Sequence, residues 1–395
     1  MREICTKEQC TGCTACESIC VHNAINMRVD SVGFLYPEIN ANICIKCGMC
    51  DLVCPIFNEI SQRKPVSSWV AKARDNAEQL TSTSGGIASV LSRYIIEDKK
   101  GVVYGCSGED SNHVRHIRID KIKDLHKLKG SKYVQSDITG IFRSVKRDLL
   151  DLRTVLFIGT PCQNAGLISY LRKDYDNLYC VDFVCHGVPS QKMLSDHIND
   201  LGLDKNASTV AFRYKRKSRG SKYMLTITDK CGSILYKKPY GIDLYMSGFI
   251  LGLFYRESCY HCKYAVPYRV SDLTIGDYWD KTSQYSMLVN SDDGLSQMNI
   301  NTEKGKRLIN EISKEIECES IDLHKLLEHS HQLQEPMKRH VNNSLFMHLY
   351  PIIGFKRACE QAMMSDYIGF RKQRILDFLF LIPGTRHLYN IIKGK

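Results

Sequence analysis

Two copies of one cysteine motif, both within the first 54 residues, constrain this chain more than any other feature. The first is Cys10-x2-Cys13-x2-Cys16-x3-Cys20, and the second is Cys44-x2-Cys47-x2-Cys50-x3-Cys54-Pro55. Three cysteines two residues apart can wrap one face of a [4Fe–4S] cube, while the fourth ligates the other cube. We therefore predict two [4Fe–4S] clusters, one held by Cys10, Cys13, Cys16 and Cys54 and the other by Cys44, Cys47, Cys50 and Cys20.

Zinc is the alternative metal for these motifs. Zinc sites pair two short CxxC knuckles at longer separation, and the dense triple motif does not suit that geometry. Pro55 follows the last cysteine of the second motif, whereas Val21 follows Cys20 in the first. Because this proline is not a ligand, the prediction holds for both copies. Cys5 lies outside the motif and is predicted to be a bystander.

Cysteine usage also indicates the redox compartment. The chain has 18 cysteines, and eight of the nine within residues 1–54 have metal-ligand spacing. Such thiolates persist in a reducing compartment, so we expect a cytoplasmic protein. Residues 1–7 are short and polar, and no stretch of about 18 apolar residues occurs, so we expect neither a signal peptide nor a transmembrane helix.

Charge is distributed unevenly along the chain. The net charge is +11, but residues 1–60 hold four Lys or Arg and seven Asp or Glu, which leaves that part near −3 and the remainder near +14. An acidic electron carrier fused to a basic body suits docking with charged partners and an anionic substrate. A basic balance that only aids solubility is the alternative.

The sequence after the cysteine module predicts an α/β body. Apolar runs at 154–159 and 178–184 flank a helical pattern at 163–173, which together predict a βαβ unit in a mostly parallel sheet. Residues 84–86 precede an amphipathic stripe that predicts a helix from Ile87, with the hydroxyls of residues 81–84 as N-cap candidates. The predicted division is a ferredoxin-type domain at 1–60, a linker at 61–68, a body at 69–150 and 151–320, and a helical tail at 321–395.

Four further cysteines predict a third metal site. Cys162 and Cys185 each follow a predicted parallel strand, so both lie at the carboxyl edge of the sheet, where α/β proteins bind ligands. Cys259 and Cys262 add a CxxC pair, which makes four thiolates, enough for a third [4Fe–4S] cluster. Taken singly, each would more often be structural, and a neighbouring histidine, His186 or His261, could replace a ligand. The remaining body cysteines are predicted to be packing residues: Cys106, Cys180, Cys231, Cys318 and Cys359.

Five motifs carry a family resemblance. They are Thr83-Ser84-Gly85-Gly86, Lys129-Gly130-Ser131-Lys132-Tyr133-Val134-Gln135-Ser136, Gly159-Thr160-Pro161-Cys162-Gln163, Val184-Cys185-His186-Gly187-Val188-Pro189-Ser190 and Asp272-Leu273-Thr274-Ile275-Gly276-Asp277-Tyr278-Trp279. With these motifs in this order, residues 1–320 resemble the family of beta subunits of coenzyme F420-reducing hydrogenase and dehydrogenase, with a fused ferredoxin domain. Residues 69–150 and 151–320 would then be the N-terminal-like and C-terminal-like regions of such a beta subunit.

The resemblance implies an iron–sulfur flavoprotein oxidoreductase. Such an enzyme would relay electrons between an external donor or acceptor protein and the N-terminal clusters, through a body cluster, to FAD and an organic acceptor. The acceptor would be a deazaflavin-type molecule or another conjugated or carbohydrate-linked substrate, and the positive charge of the body favours an anionic one. The alternative is a non-catalytic electron-transfer subunit or adaptor that lacks flavin. The sequence predicts neither a catalytic residue nor an oligomeric state.

Two segments are candidates for contact with the flavin. A glycine-rich helix start favours phosphate, and the lysines and tyrosine of the second segment would add charge and stacking. Ordinary helix capping and a solvated basic loop are the alternatives, and no GxGxxG fingerprint is present. Asp277 is predicted to orient a cluster loop or to hydrogen-bond the substrate, or else to be a turn carboxylate. The predicted cofactor-binding residues are Ser84, Gly85, Gly86, Lys129, Gly130, Ser131, Lys132, Tyr133 and Asp277.

Two basic segments complete the predictions. The run Arg213, Lys215, Arg216, Lys217, Arg219 and Lys222 suits either an anionic-substrate gate or a solvated hairpin, and the hairpin is favoured. No nucleic-acid partner is expected, because no binding motif accompanies the charge. In the tail, an apolar cluster from Ile375 to Ile382 has basic flanks and suits peripheral contact with a membrane or a partner. Packing on the body is the favoured alternative for this tail.

Overall fold

The structure, a computed structural model, describes residues 4–216, 220–279 and 294–370. Within the basic run, Lys217 and Arg219 lie outside the described residues, and so does the predicted apolar cluster from Ile375 to Ile382.

The N-terminal module repeats one loop-and-helix unit on either side of a short antiparallel hairpin. In each unit a residue in the left-handed conformation precedes the helix, Thr14 with φ 62° in the first and Gly48 with φ 75° in the second. This conformation turns the chain sharply between consecutive cysteines of the motif. The elements are α1 (Ala15–Ile19), β1 (Ile25–Val29), β2 (Leu35–Ile39) and α2 (Met49–Leu52).

The body is built on an eight-stranded sheet. Its strands are β3 (Ser67–Ala73), β4 (Val102–Ser107), β5 (Arg115–Ile119), β6 (Val155–Gly159), β7 (Leu178–Phe183), β11 (Leu273–Tyr278), β12 (Leu295–Ile300) and β13 (Ile316–Ile321). Their order across the sheet is β13-β3-β12-β11-β7-β6-β4-β5. The four central strands from β11 to β4 are parallel, and the outer strands pair antiparallel.

A smaller antiparallel sheet stands apart from the central one. Its three strands, in the order β10-β9-β8, are β8 (Thr209–Arg216), β9 (Gly220–Thr228) and β10 (Ile234–Pro239). The prediction of antiparallel strands in this part of the chain is confirmed.

Helices cover both faces of the central sheet. They are α3 (Asn76–Thr81), α4 (Ile87–Glu97), α5 (Ile141–Leu150), α6 (Pro161–Leu171) and α9 (Glu303–Glu311). Two more helices, α7 (Gln191–Asp200) and α8 (Leu244–Ile250), pack in one apolar cluster with β8 and β9 of the smaller sheet. The predicted βαβ unit is confirmed as β6-α6-β7. A capping box starts α6, since the Thr160 hydroxyl accepts from the Gln163 amide and the Gln163 side chain accepts from the Thr160 amide.

The start of α4 differs from its predicted cap. The hydroxyls of residues 81–84 do not cap this helix; its N-cap is Gly86, with φ 89° and no side-chain hydrogen bond. The Ser84 hydroxyl instead donates to the Leu295 carbonyl oxygen at 2.6 Å. A glycine can hold the left-handed turn that enters this helix, whereas the serine ties the preceding loop to the sheet.

Two apolar clusters lie on opposite faces of the sheet, because neighbouring strand residues point to opposite sides. Leu156 of β6 belongs to the cluster beneath α4, and the adjacent Phe157 belongs to the cluster beneath α5 and α6. Ala15 and Val53 of the N-terminal module join this second cluster. The module is therefore packed against the α5–α6 face of the body.

The C-terminal residues that the structure describes pack on the body. Phe346 and Phe355 lie in one cluster with Tyr245 and Phe254, so the favoured packing alternative is observed as far as residue 370. None of the described helices has the length and apolar character needed to cross a membrane. The helices are α10 (Leu323–Glu328), α11 (Asn343–Ile353) and α12 (Phe355–Ala362), and the 3₁₀ helices of the body and tail are Ile122–Leu128, Glu257–His261 and His331–Leu333.

The predicted fold class is confirmed: an α/β body follows a small ferredoxin-like module and precedes C-terminal helices. The parallel part of the sheet is its centre, where helices bury the strands on both faces. The outer strands at this edge are antiparallel. Strand β12 returns directly beside β11, and then β3 and β13 extend the edge.

Candidate functional site

The motif cysteines line two cavities of similar size in the N-terminal module. The outer cavity, about 390 Å³ up to its open mouth, is lined by Cys20, Cys44, Cys47 and Cys50. The inner cavity, about 360 Å³, is lined by Cys10, Cys13, Cys16 and Cys54, together with Cys5. Each cavity thus contains three cysteines of one motif and the fourth cysteine of the other. This crossed grouping is the one that two adjacent cubes require, and the ligand assignment itself stays a prediction.

Cys5 is the residue that sequence reasoning set aside. Its thiol lines the inner cavity and lies within hydrogen-bonding reach of the sulfurs of Cys10 and Cys54. The pKa of Cys10 is lowered to about 6, first by this hydrogen bond and further by the charge of Arg256. Only its position just before the first motif could have drawn attention to Cys5, because its spacing to Cys10 fits no ligand pattern.

A buried arginine fastens the module to the body. Arg256 is only 1% exposed, and its guanidinium donates to the carbonyl oxygens of Cys10 at 2.6 Å and Leu35 at 2.9 Å. A third donor group contacts the Gln135 side chain at 3.2 Å, and the guanidinium lies 4.2 Å from the centre of the Tyr36 ring. Because Arg256 lies three residues before Cys259, the same segment contributes to the module interface and to the predicted body ligands.

A second arginine holds the module on its other side. Arg143 of α5 donates to the carbonyl oxygens of Ser18 at 3.0 Å and Glu17 at 2.7 Å, at the end of α1. It also forms an ion pair of 2.8 Å with the Glu17 carboxylate. A cation placed at the C-terminal end of a helix satisfies the carbonyls that lack helical partners there.

The four body cysteines arise from three separate segments. Cys162 lies in the first turn of α6, where the Thr160 hydroxyl is 3.1 Å from its sulfur. Cys185 follows β7, and Cys259 and Cys262 lie within and just after the 3₁₀ helix Glu257–His261. The ends of β6 and β7 meet at the carboxyl edge of the parallel strands, as the sequence predicted for Cys162 and Cys185.

The structure brings these four thiols together at one place, called here the body site. Cys259 interacts electrostatically with Cys185, Cys262 and Cys162, and Cys162 with Cys262 and Cys185. Burial raises the pKa of both Cys162 and Cys185 to about 12. Burial by itself thus favours neutral thiols, and a bound cationic metal centre would supply the charge that stabilises four thiolates.

The spacing of these thiols bears on which metal centre fits. Among the described residues, no group of three or more His, Cys, Asp or Glu side chains is arranged to hold a metal ion. One zinc ion would draw its ligand sulfurs close around a single atom, whereas a cube spreads its four sulfurs over its corners. Which metal centre the body site and the two cavities hold stays a prediction.

Tyr264 lies between the inner cavity and the body site. It is 4% exposed and interacts electrostatically with Cys162, Cys13 and, more weakly, Cys262 and Cys54. Its buried hydroxyl has no hydrogen-bond partner among the described residues. Buried hydroxyls are almost always paired, so this donor fits a sulfur acceptor that a cluster would supply. The two sites are also in close contact, since a Cβ atom at Gly166 of α6 would lie 2.7 Å from the Cys13 Cβ.

A buried ion pair supports the loops of the body site. Asp182 at the end of β7 and Arg269 are both essentially unexposed, and their side chains are 2.9 Å apart. Ser271 donates a further hydrogen bond to Asp182 at 2.9 Å. The charge of Arg269 acts to lower the pKa of Cys185 and Cys262, against the larger opposite effect of burial.

The two segments predicted to contact flavin lie side by side. The Ser131 amide donates to the Thr83 hydroxyl at 3.1 Å. Several of their polar groups already have partners within the protein: the Gly85 amide donates to the Ser296 hydroxyl at 3.0 Å, and Lys129 pairs with Glu78 at 2.5 Å. The Lys132 ammonium donates to the carbonyl oxygens of residues 128 and 129, and burial lowers its pKa to about 8. Gly86 caps α4, and Gly130, with φ 84°, has open space beside its Cα.

Asp277 and Tyr133 meet through an arginine of the basic run. Arg213 is only 4% exposed; it pairs with Asp277 at 2.8 Å and donates to the Tyr133 hydroxyl at 3.0 Å. Its guanidinium also lies over the Tyr223 ring, 4.5 Å from its centre. The solvated-hairpin interpretation is therefore wrong for Arg213, because its side chain is buried against Asp277 and Tyr133. The turn-carboxylate alternative for Asp277 is also wrong, since the residue lies in β11.

Aromatic rings connect this region with the body site. Tyr133 stacks on Phe249 with ring centres 4.5 Å apart, and Phe249 lies 5.7 Å from His186, the neighbour of Cys185. The His186 ring is 3.1 Å from the Tyr255 hydroxyl, and burial lowers its pKa to about 4. The flavin candidates and the predicted body ligands are thus joined by continuous packing.

Comparison with known proteins identifies two domains within the chain. Residues 9–58 match the 4Fe-4S dicluster domain, and residues 152–325 match the C-terminal domain of the beta subunit of coenzyme F420 hydrogenase/dehydrogenase. The chain carries this beta-subunit domain behind a dicluster domain. It is therefore an iron–sulfur protein with an F420-related oxidoreductase domain, and the predicted resemblance is confirmed.

Two relatives match most of this chain. The F component of the F(420)H(2) dehydrogenase of Methanosarcina mazei is 21% identical over 338 residues, which are 80% of this chain and 85% of that protein. The coenzyme F420-dependent sulfite reductase of Methanocaldococcus jannaschii is 24% identical over 344 residues, which are 77% of this chain but only 52% of that protein. A chain of the F420-reducing [NiFe] hydrogenase complex from Methanosarcina barkeri, in a xenon-derivatised structure, superposes with a TM-score of 0.47 at 17% identity, over 69% of this chain and 89% of that one.

The other cysteines of the chain have different surroundings. Cys180 and Cys359 are buried and Cys106 is partly buried, as packing residues would be. Cys231 and Cys318 are exposed, so the packing prediction is wrong for these two. Cys231 lies in the turn between β9 and β10, and Cys318 lies on the edge strand β13, where alternate side chains face solvent.

Proposed function

We propose that this chain is an electron-transfer oxidoreductase subunit in which three [4Fe–4S] clusters lead to FAD and an organic acceptor. Two clusters would be held in the outer and inner cavities, and the third by Cys162, Cys185, Cys259 and Cys262. The observation that carries the proposal is the contact between Cys13 of the inner cavity and α6, the helix that begins with Cys162. Closely packed centres are what a chain of one-electron transfers needs.

The outer cavity is the proposed port for an external donor or acceptor protein. Cys47 is exposed, and Ile45, which is 62% exposed, lines the cavity. Val21 and Ile43, which are 85% and 47% exposed, adjoin the lining residues Cys20 and Cys44 in the sequence. Exposed aliphatic side chains around a buried functional group are typical of a protein docking surface. The inner cavity lies against the body, so the two cavities would serve opposite ends of the module.

The residues of the chain have specific tasks in this proposal. Arg256 and Arg143 hold the module so that the inner cavity stays against α6. Burial of the body site excludes water from the four thiols, and the Arg269 charge offsets part of their negative charge. A flavin, when bound, would link one-electron chemistry at the clusters to two-electron chemistry at an organic molecule. Gly130, Ser131 and Tyr133 are the residues that would hold it, since they combine open backbone with an aromatic ring.

The proposed acceptor is a deazaflavin of the F420 type, because both relatives named above carry that coenzyme in their names. The buried Arg213 and the exposed Trp279, 5.3 Å apart, would suit an anionic molecule with a conjugated ring. We also propose a cytoplasmic location, since all 18 cysteines are free thiols.

A non-catalytic electron-transfer subunit is the second candidate, and one observation favours it. The amide of Gly85 and the ammonium groups of Lys129 and Lys132 already have partners within the protein. A cofactor phosphate would have to displace these partners. Without flavin, the body site would be the end of the electron path within this chain, and a partner protein would hold the next centre.

Anaerobic purification with iron, sulfide and flavin measured per chain tests these alternatives. About twelve irons with one flavin supports the full path, because each cube contains four irons. About twelve irons without flavin supports the electron-transfer subunit. About eight irons would contradict the body cluster, and the variant Cys259→Ser should then leave the iron content unchanged. If the body cluster exists, the same variant should lose about four irons while Cys231→Ser loses none.

A further inference from the structure

The C-terminal helices leave one apolar face exposed. Helix α11 buries Phe346 and Tyr350 in the cluster that holds it on the body. Leu345 and Ile352 of the same helix are instead 43% and 66% exposed. Because residues seven positions apart lie on one side of a helix, these two side chains share a face that is turned away from the buried one. Val341, just before α11, is 91% exposed.

A second stretch of chain exposes two more apolar side chains. Met364 and Ile368 lie four residues apart in the helical stretch 364–370, and they are 63% and 65% exposed. The side chains of His340 and Asp366 are 3.3 Å apart, which places this stretch beside the start of α11. The five exposed side chains are called here the C-terminal face: Val341, Leu345, Ile352, Met364 and Ile368.

Positive charge accompanies this face along the chain. On α12, between the two stretches that form the face, Lys356 and Arg357 are exposed beside one exposed acid, Glu360. Residues 371–395, which lie outside the described residues, hold six Lys or Arg and one Asp, and their sequence includes the apolar cluster from Ile375 to Ile382. Apolar side chains combined with an excess of Lys and Arg are typical of segments that bind anionic lipid surfaces.

We propose that the C-terminal face binds the surface of an anionic lipid membrane. Its apolar side chains would enter the boundary between headgroups and acyl chains, and the neighbouring cations would lie at the lipid phosphates. A fluid bilayer takes up side chains that project separately, whereas a protein partner has to offer a complementary surface to each of them. A second copy of this chain would bring the same excess of cations to the face, and like charges repel. This inference is independent of the proposed clusters and flavin.

Co-sedimentation of the full-length holoprotein with lipid vesicles tests the proposal. The vesicles contain phosphatidylcholine alone or phosphatidylcholine mixed with the anionic lipid phosphatidylglycerol. We expect the wild type to sediment with the anionic vesicles, and to do so less as salt is added, because salt screens the attraction between the cations and the lipid phosphates. Sedimentation with neither kind of vesicle would overturn the proposal and leave an acidic protein as the partner. Equal binding to both kinds would also overturn it.

Substitutions within the face separate its role from that of the remaining surface. Ile352→Asp and Ile368→Asp should each weaken binding to the anionic vesicles by about tenfold, because each removes apolar area and adds a negative charge at an anionic surface. Leu152→Asp is the matched control: Leu152 is 87% exposed just after α5, outside the face, and its variant should bind as the wild type does. All three variants should keep the wild-type far-UV circular dichroism and iron content. Unchanged binding in both isoleucine variants, or an equal loss in Leu152→Asp, would contradict the assignment of the face.

Discussion

Arg256 offers the sharpest test of how the module is coupled to the body. Its guanidinium makes three hydrogen bonds: two to carbonyl oxygens of the module, at Cys10 and Leu35, and one to Gln135 of the body. The substitution Arg256→Lys keeps the positive charge but replaces the planar fork by a single ammonium group. From the geometry of the three acceptors, we expect the lysine to reach one of them and to leave the other two without a charged donor.

The magnitude follows from the two contacts that are lost. A hydrogen bond to a charged group contributes about 1.5–3 kcal/mol, so losing two in a site that is 1% exposed should cost about 3–6 kcal/mol of the stability of the docked module. The assay is denaturant titration of the holoprotein, followed by loss of cluster absorbance. The denaturation midpoint of the module, measured by cluster absorbance, should fall. The midpoint of the body, measured by tryptophan fluorescence or far-UV circular dichroism, should fall much less.

Arg339→Lys is the matched control for this experiment. Arg339 pairs with Glu257 in the same part of the body, but the two side chains are 33% and 32% exposed. An exposed pair of this kind contributes less than about 1 kcal/mol, so the control should leave both transitions nearly unchanged. If Arg256→Lys also left the module transition unchanged, the buried arginine would not be what fastens the module.

Four further changes test other parts of the structure. Tyr264→Phe should change the free energy of unfolding by less than about 1 kcal/mol, because the hydroxyl has no partner among the described residues. The same variant should lower the reduction potential of a neighbouring cluster in a redox titration. Unchanged potentials would show that no cluster sulfur accepts this hydrogen bond. Asp182→Asn leaves a guanidinium buried without its counter-charge and should cost about 3–5 kcal/mol in denaturant titration, and a loss below about 1 kcal/mol would contradict the buried ion pair. Burial lowers the pKa of His116 from 6.5 to about 4, so the unfolded chain takes up a proton at a higher pH than the folded protein does. The free energy of unfolding should therefore be highest above about pH 6.5 and decrease toward pH 4 by on the order of 3 kcal/mol. His116→Gln should lack this decrease. Ile45→Asp should slow reduction by a partner protein without changing iron content or reduction by dithionite, and equal rates with the partner would place the port elsewhere.

Much of the molecule could be predicted from local patterns. The βαβ unit around Cys162 follows from two apolar runs with a helical pattern between them, and the structure has β6, α6 and β7 there. The position of Cys162 and Cys185 at one sheet edge follows from the same pattern, because parallel strands end on the same side. These features depend on residues that are close in sequence, so the spacing of apolar residues along the chain is enough to predict them.

Other features depend on contacts between distant segments. The hydroxyls of residues 81–84 looked suited to cap α4, but Ser84 bonds to Leu295, which is far along the chain and was not part of the local pattern. Arg213 belongs to a run of cations for which the sequence favours a solvated hairpin, and its buried ion pair depends on the approach of Asp277 from β11. Tyr264 carried no signal at all, since the surroundings of its hydroxyl are defined by the cysteines of two other segments.

The sequence by itself determined the chemistry of the N-terminal module, because a [4Fe–4S] cube requires thiolates at fixed short spacings and the doubled motif supplies them. It also determined the α/β character of the body, because hydrophobic periodicity reports which side of each element is buried. Only the tertiary structure decided that the inner cavity lies against α6, that Cys5 reaches Cys10 and Cys54, and that Arg256 joins the two parts. Those relations depend on the distances between atoms that the chain brings together from far apart, and periodicity and spacing along the sequence contain no measure of such distances.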